Sequence, residues 1–144
     1  MLPNLWALRG SDVNLIVIFV SAQCIALEIP WKQSSVYIVA VYASMSSLNR
    51  RQLWLELTHL QGCFQGPWLF LGDFNAIMGV HEKRGRRPPP SASCLDFMHW
   101  LNANLLTHLP TSGSLYTWHN GRFSVENVAL CLDRSVCNEE WLNF

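Results

Sequence analysis

Residues 67–79 read PWLFLGDFNAIMG. An unbroken apolar run, Trp68 to Leu71, ends at Gly72, and the chain then presents Asp73 and Asn75 on either side of Phe74. A short apolar run that stops on a glycine reads as a buried strand. In sheets flanked by helices, the ligand crevice lies where strands leave the core and loops present polar groups over an apolar scaffold. Asp73 is suited to hold or deprotonate a water, and Asn75 offers both a donor and an acceptor, so together they can orient a nucleophilic water and a phosphate oxygen. The same Asp-Phe-Asn is equally ordinary turn chemistry, in which Asx side chains bond their own backbone.

Upstream, SSVYIVAVYAS (residues 34–44) is rich in β-branched and aromatic residues and reads as a central strand ending near Tyr42. Tyr42 leaves its strand as Asp73 leaves the other, and its hydroxyl is a candidate partner for the same phosphate oxygen. Before it, NLIVIF and CIALEI read as two short strands joined by a Ser-Ala-Gln turn. Together they fall short of the ~20 apolar residues of a membrane span. Residues 46–62 place Leu48, Leu53, Trp54, Leu57 and Leu60 mostly three or four apart, which predicts an amphipathic helix ending at Gly62. A second helix is predicted over 93–106, with Leu95, Met98, Leu101 and Leu105 on one face. Asn120-Gly121 is a strong hairpin signal within LYTWHNGRF, and NVALCLDRSVCN reads as one final strand carrying Asp133. Strands of buried character alternating with helices, with no repeat or boundary, predict a single α+β or α/β domain over residues 1–144.

Ten Lys and Arg balance ten Asp and Glu, so no global basic field advertises a nucleic-acid partner and any such contact must be local. The local candidate is Lys83, Arg84, Arg86 and Arg87, ahead of Pro88-Pro89-Pro90. These cations can meet DNA phosphates from a proline-stiffened exposed loop. A solvated turn is the alternative reading. Charged residues are only 14% of the chain and hydrophobic ones 50%, against about 25% charged in a typical globular domain. Either much of the surface is expected to be covered, or the chain is part of something larger. The five cysteines form no CxxC pair and read as reduced thiols of an intracellular protein, nuclear or cytoplasmic.

WLFLGDFNAIMGVHEKRGRR, with AVYAS upstream and YTWHNGR and LDRSVCNEEWL downstream, resembles the endonuclease/exonuclease/phosphatase superfamily. Within it, the likeness is to the apurinic/apyrimidinic-like endonuclease domain of plant-type LINE retrotransposons, and it runs from about Leu5 to Phe144. The resemblance implies a four-layer α/β/β/α sandwich, here incomplete, that cleaves phosphodiesters of DNA with a Mg²⁺-assisted water. It also implies a reverse transcriptase domain as partner in the parent element. Carried over residue by residue, Tyr42 resembles the tyrosine that contacts the scissile phosphate. Asp73 resembles the aspartate that positions the water, and Asn75 the asparagine that binds phosphate beside it. Asp133 resembles the carboxylate that orients a catalytic histidine.

The chain departs from that pattern at three places. The family's opening strands bring an asparagine and a metal-binding glutamate, and its closing Ser-Asp-His brings a carboxylate and the histidine. Neither segment is present between Met1 and Phe144, so no metal site is complete. Where relatives carry a basic residue before Leu-Asp, this chain has Cys131, and a thiol cannot replace a guanidinium against an anion. The expectation is a fragment of a Mg-dependent retrotransposon-type endonuclease, inactive as it stands. The alternatives are a non-catalytic nucleic-acid- or protein-binding remnant, or a gene relic with no selected function.

Overall fold

The structure, a computed structural model, describes residues 5–144. Five strands and a short sixth form one sheet: β1 (Ile16–Val20), β2 (Cys24–Trp31), β3 (Ser34–Tyr42), β4 (Trp68–Asp73), β6 (Thr107–His108) and β9 (Asp133–Cys137). Their order across it is β1-β2-β3-β4-β9-β6. Only β3 and β4 pair in parallel, joined by helix α1 (Ser47–Cys63). Both are the long apolar runs of the sequence, as a strand pair at the centre of a sheet requires. Helix α2 (Ser91–Ala103) starts directly after Pro90, a residue that cannot continue a helix backwards. A short helix α3 (Glu139–Leu142) follows β9, capped by Asn138 accepting from the Trp141 N–H.

Strand alternation divides the sheet into two unlike faces. Ala26, Tyr37, Val39, Val41, Trp68, Phe70 and Val136 share one buried cluster with Leu53, Trp54, Leu57 and Leu60 of α1 and Phe97, Trp100 and Leu101 of α2. Aromatic rings fill it: Trp54 stacks on Trp100 at 4.8 Å and Tyr37 on Trp68 at 4.6 Å between centroids. The opposite face carries Ile25, Leu27, Ile38, Ala40 and Leu69, each only half-buried, with Val17 and Val20 exposed at the edge. Near one end of that face Trp31 meets Phe144 at 5.9 Å.

The α+β class is as the sequence predicts, and three details differ. The buried face of α2 is Cys94, Phe97, Trp100 and Leu101, while Leu95 and Leu105 are exposed. Burial of two large aromatics outweighs that of the leucines, and rotates the helix accordingly. NVALCLDRSVCN is not one strand: it splits at Cys131-Leu132 into β8 (Ala129–Leu130) and β9, which belong to different sheets. Asn120-Gly121 does not close a tight hairpin, because β7 (Trp118–His119) pairs with β8 across an excursion that contains a single 3₁₀ turn, Ser124–Glu126. The second sheet is small: Lys83–Arg84 forms its third strand, β5, and the order is β5-β8-β7, each of two residues.

One position decides how β3 and β4 sit together. Gly72 has φ +132°, and a Cβ there would lie 2.1 Å from the Val41 carbonyl oxygen on the neighbouring strand. Gly72→Ala therefore has to push the central pair apart, at an expected cost of roughly 3 kcal/mol or more. Urea unfolding of the two forms measures it, and a loss below about 0.5 kcal/mol would mean that the strands do not meet so closely.

Candidate active site

The register of the central strands assembles the candidate residues. Tyr42 is the parallel partner of Asp73, and Asp73 is the antiparallel partner of Asp133. Directly paired residues share a face, so the three side chains form a row across β3, β4 and β9 at one end of the sheet. Tyr42 and Asp133 are exposed and Asp73 is half-buried. Burial, with the field of Asp133 added, raises the Asp73 carboxyl pKa above the ordinary carboxylate value against the opposing hydrogen bond from the Asn75 N–H. At the end of its strand this carboxylate is a better proton holder than a free aspartate.

Phe74 explains why a buried strand ends on a carboxylate and a carboxamide. Its ring is fully buried, 5.5 Å from Phe97 and 6.0 Å from Trp100, and alternation throws its two neighbours out of the core. Its N–H donates to the Leu132 carbonyl at 3.0 Å. Asn75 adopts the left-handed conformation, φ +45°, which asparagine tolerates better than most residues. Its N–H donates to Asp73 Oδ1 at 2.8 Å and its Nδ2 to the Ala43 carbonyl at 2.7 Å. The Asx turn admitted by the sequence is thus present, and the same side chain ties the end of β3 to the end of β4. Its Oδ1 stays free toward a cleft of about 410 Å³ lined also by Tyr42, Ser44 and Gln23.

Behind this row lies a buried ion pair that the motifs do not reveal. Arg134 donates from Nη1 and Nη2 to the two carboxylate oxygens of Glu82, at 2.8 and 2.9 Å. It also donates to the carbonyls of Ala76 (3.1 Å) and Cys131 (2.6 Å), while the Met78 N–H donates to Glu82 Oε2 at 2.7 Å. Burial opposes ionisation of Glu82, but the Arg134 and Met78 hydrogen bonds and the nearby charges of Arg134 and His81 outweigh it and hold its pKa below the ordinary value. The concern raised by Cys131 changes form: its carbonyl is an acceptor for Arg134, which brings a guanidinium into the fold three residues later. Period 2 in Asp133-Arg134-Ser135-Val136 is the signal for this burial, since Arg134 shares its parity with Val136.

The basic segment is only partly a loop. Lys83 and Arg84 pair with Leu130 and Ala129 in the second sheet. Lys83, Arg86 and Arg87 line a cleft of about 670 Å³ with Asn120, Arg122 and Glu126, whereas Arg84 is exposed outside it. Arg122, salt-bridged to Glu126 at 3.4 Å on the surface, is invisible in the sequence as a member of this set because the excursion between β7 and β8 brings it there. Lys83 also lines a separate cavity with Asn75, so it bridges the row at the strand ends and the cationic cleft.

A Mg²⁺ site takes hard oxygen ligands in near-octahedral array, usually one or two carboxylates with waters and phosphate oxygens. Asp73 and Asp133 are suitable donors, but Glu82 is held by Arg134, and no group of three or more His, Cys, Asp or Glu converges among the described residues. Burial, and then the field of Asp133, raise the Asp73 pKa, and no cation beside the carboxylate offsets them. These residues alone do not make a site that fits the metal.

No protein-family model matches the chain, and no curated protein matches it in sequence. In structure it is similar to the endonuclease domain of TRAS1, a telomere-specific non-LTR retrotransposon, with TM-score 0.71 and 16% identity over 93% of the chain. The likeness is one of fold, an α+β arrangement shared with that endonuclease domain. The chain is also similar to beta toxin of Staphylococcus aureus, with TM-score 0.53 and 12% identity over 82% of the chain. The chain spans 59% of the length of the TRAS1 domain and 43% of the toxin. Among the described residues no helix is long and apolar enough to cross a membrane.

Two stability measurements follow from these charges. Asp73 has a raised folded pKa, so at neutral pH its ionised form opposes folding. Asp73→Asn keeps the Oδ1 acceptor for Asn75 and is expected to raise the melting temperature at pH 7 by a few degrees. No gain would mean that the carboxylate is not strained by its surroundings. Arg134→Met leaves Glu82 buried without its partner and is expected to cost about 3–5 kcal/mol. In the native chain the depressed Glu82 pKa gives stability that is present above the unfolded value of 4.5 and is lost as the pH falls through the folded value. Acid titration of the two forms should show that loss in the native chain only.

Proposed function

We propose that the chain carries the phosphate-facing part of a retrotransposon-type DNA endonuclease and binds DNA without cutting it on its own. The observation that carries this reading is the continuity from Tyr42, Asp73 and Asn75 through Lys83 to Arg86, Arg87 and Arg122. A line of polar donors and acceptors, with the Asp73 carboxylate among them, leading into a group of cations suits a phosphodiester backbone, since phosphate contacts position the strand and cations supply affinity. The fold likeness to the TRAS1 endonuclease domain supports the same class.

In this reading the Tyr42 hydroxyl donates to a non-bridging oxygen of the target phosphate, and Asn75 Oδ1 accepts from the water beside it. Asp73, with its raised pKa, orients that water and is the group that would take its proton in an intact site. Asp133 is left facing outward, free to orient a histidine. In the intact family Mg²⁺ offsets the charge that grows on the phosphate. The residues here leave that role unfilled, and losing members of a cooperating set costs several orders of magnitude in rate.

The test is nicking of supercoiled plasmid by the purified chain in Mg²⁺, against a control carrying Asp73→Ala and Asn75→Ala. No nicking above the control is expected, and reproducible nicking that the double substitution abolishes would overturn the inactive reading. Duplex binding is measured in parallel. Replacing Lys83, Arg86, Arg87 and Arg122 with Ala should flatten the dependence of log affinity on log salt by about 3–4, near 0.9 for each phosphate that no longer meets a cation. Equal slopes would show the cleft to be a solvated surface.

A further inference from the structure

Among the described residues three charged side chains are buried: Arg50, Glu82 and Arg134. Glu82 and Arg134 neutralise each other, whereas Arg50, 6% exposed, has no carboxylate within salt-bridge distance. Asp96, whose field reaches Arg50, is bridged instead to Arg51 at 2.8 Å. Arg50 donates from Nη1 to the Ser44 and Met45 carbonyls, both at 2.8 Å, and from Nη2 to Ser93 Oγ at 2.6 Å. Those bonds use three of the five N–H groups of a guanidinium. A buried cation held only by neutral oxygens is expensive to keep, and its usual remedy is an anion.

The surroundings of Arg50 suit one. It lines a cavity of about 330 Å³ together with Lys83, Asn75 and Ser93, closed on its apolar side by Met45 and Leu132. The first turns of α1 and α2 both reach this cavity through Ser47 and Ser93, and neither turn carries an acidic residue or a side-chain cap. Two helix starts add positive potential to the two cations. The geometry points to a phosphate-binding subsite at Arg50 and Lys83, taking the phosphate of a nucleic-acid strand next to the one that faces Tyr42 and Asp73. In its DNA assignment the inference rests on the function proposed above; the anion chemistry stands on Arg50 alone.

Thermal melting of the full chain in inorganic phosphate, against chloride at equal ionic strength, tests it. Phosphate is expected to raise the melting temperature beyond chloride. Ser93→Asp puts a carboxylate where Ser93 Oγ now meets Arg50, in the first turn of α2. That variant should melt higher without phosphate and lose the phosphate response, with affinity down about tenfold or more. Lys83→Met removes only the half-buried cation and should weaken the response several-fold, a readout that stands whether or not the first variant folds. A triple Arg86→Ala, Arg87→Ala, Arg122→Ala variant removes cations of the separate, exposed cleft and should still show a phosphate response that Ser93→Asp abolishes. Equal effects of phosphate and chloride, or a response that survives Ser93→Asp and disappears in the triple variant, would overturn the subsite. Duplex affinity measured on the same proteins separates the two readings: a phosphate response without duplex binding keeps the subsite and removes the DNA assignment.

Discussion

The buried pair of Arg134 and Glu82 is the constraint on which the end of the sheet that carries the candidate site depends. Removing two charges from water costs more than their attraction returns unless every remaining donor and acceptor is met. Here most are, by the carbonyls of Ala76 and Cys131 and the N–H of Met78. The result is a fastening between three segments that have no regular structure in common: the turn after Asn75, the link into β5, and the link between β8 and β9. It adds to what otherwise fixes the exit of β4: the Asx turn, the buried ring of Phe74, and the bonds from Asn75 Nδ2 to the Ala43 carbonyl and from the Phe74 N–H to the Leu132 carbonyl. The pair supplies position where hydrophobic packing alone would leave slack.

The row of Tyr42, Asp73 and Asp133 is built differently, from backbone register. Each member stands on a separate strand, and the spacing between them is the spacing of a sheet, about 5 Å per strand. Gly72 permits it by letting β4 approach the Val41 carbonyl one residue before the row begins. What reads in the sequence as a glycine followed by chemistry is therefore one device: the glycine sets the distance at which the chemistry is presented. Side chains placed by a ladder of backbone hydrogen bonds lose little freedom when a ligand arrives, which is why strand ends make rigid sites.

Much of this is legible in the residues. The strands ending at Tyr42 and Asp73 and the helix between them follow from apolar runs and a 3.6-residue period, because burial imposes those patterns directly. What escapes depends on partners far away in the chain. The orientation of α2 is misread from the sequence because leucines at helical spacing look like a core face until Trp54 and Phe70 are there to receive Trp100 and Phe97 instead. The break at Cys131-Leu132 carries no glycine or proline; it is set by Thr117, whose hydroxyl accepts the N–H groups of Leu132 and Asp133, both at 3.0 Å. Arg122 and Arg50 are unremarkable as letters. Their interest arises from what surrounds them, a second basic segment for one and the want of a carboxylate for the other.

The two unlike faces of the large sheet also bear on how the chain responds to heat. Heat capacity on unfolding tracks the apolar surface newly exposed, at about 0.45 cal/K/mol per Å². A chain that leaves Val17, Val20 and Leu71 in water while folded has less of that surface left to expose. Its stability curve against temperature is accordingly shallow, falling off gently on both the cold and the warm side, and any protein surface that came to cover that face would steepen the curve as well as raise it.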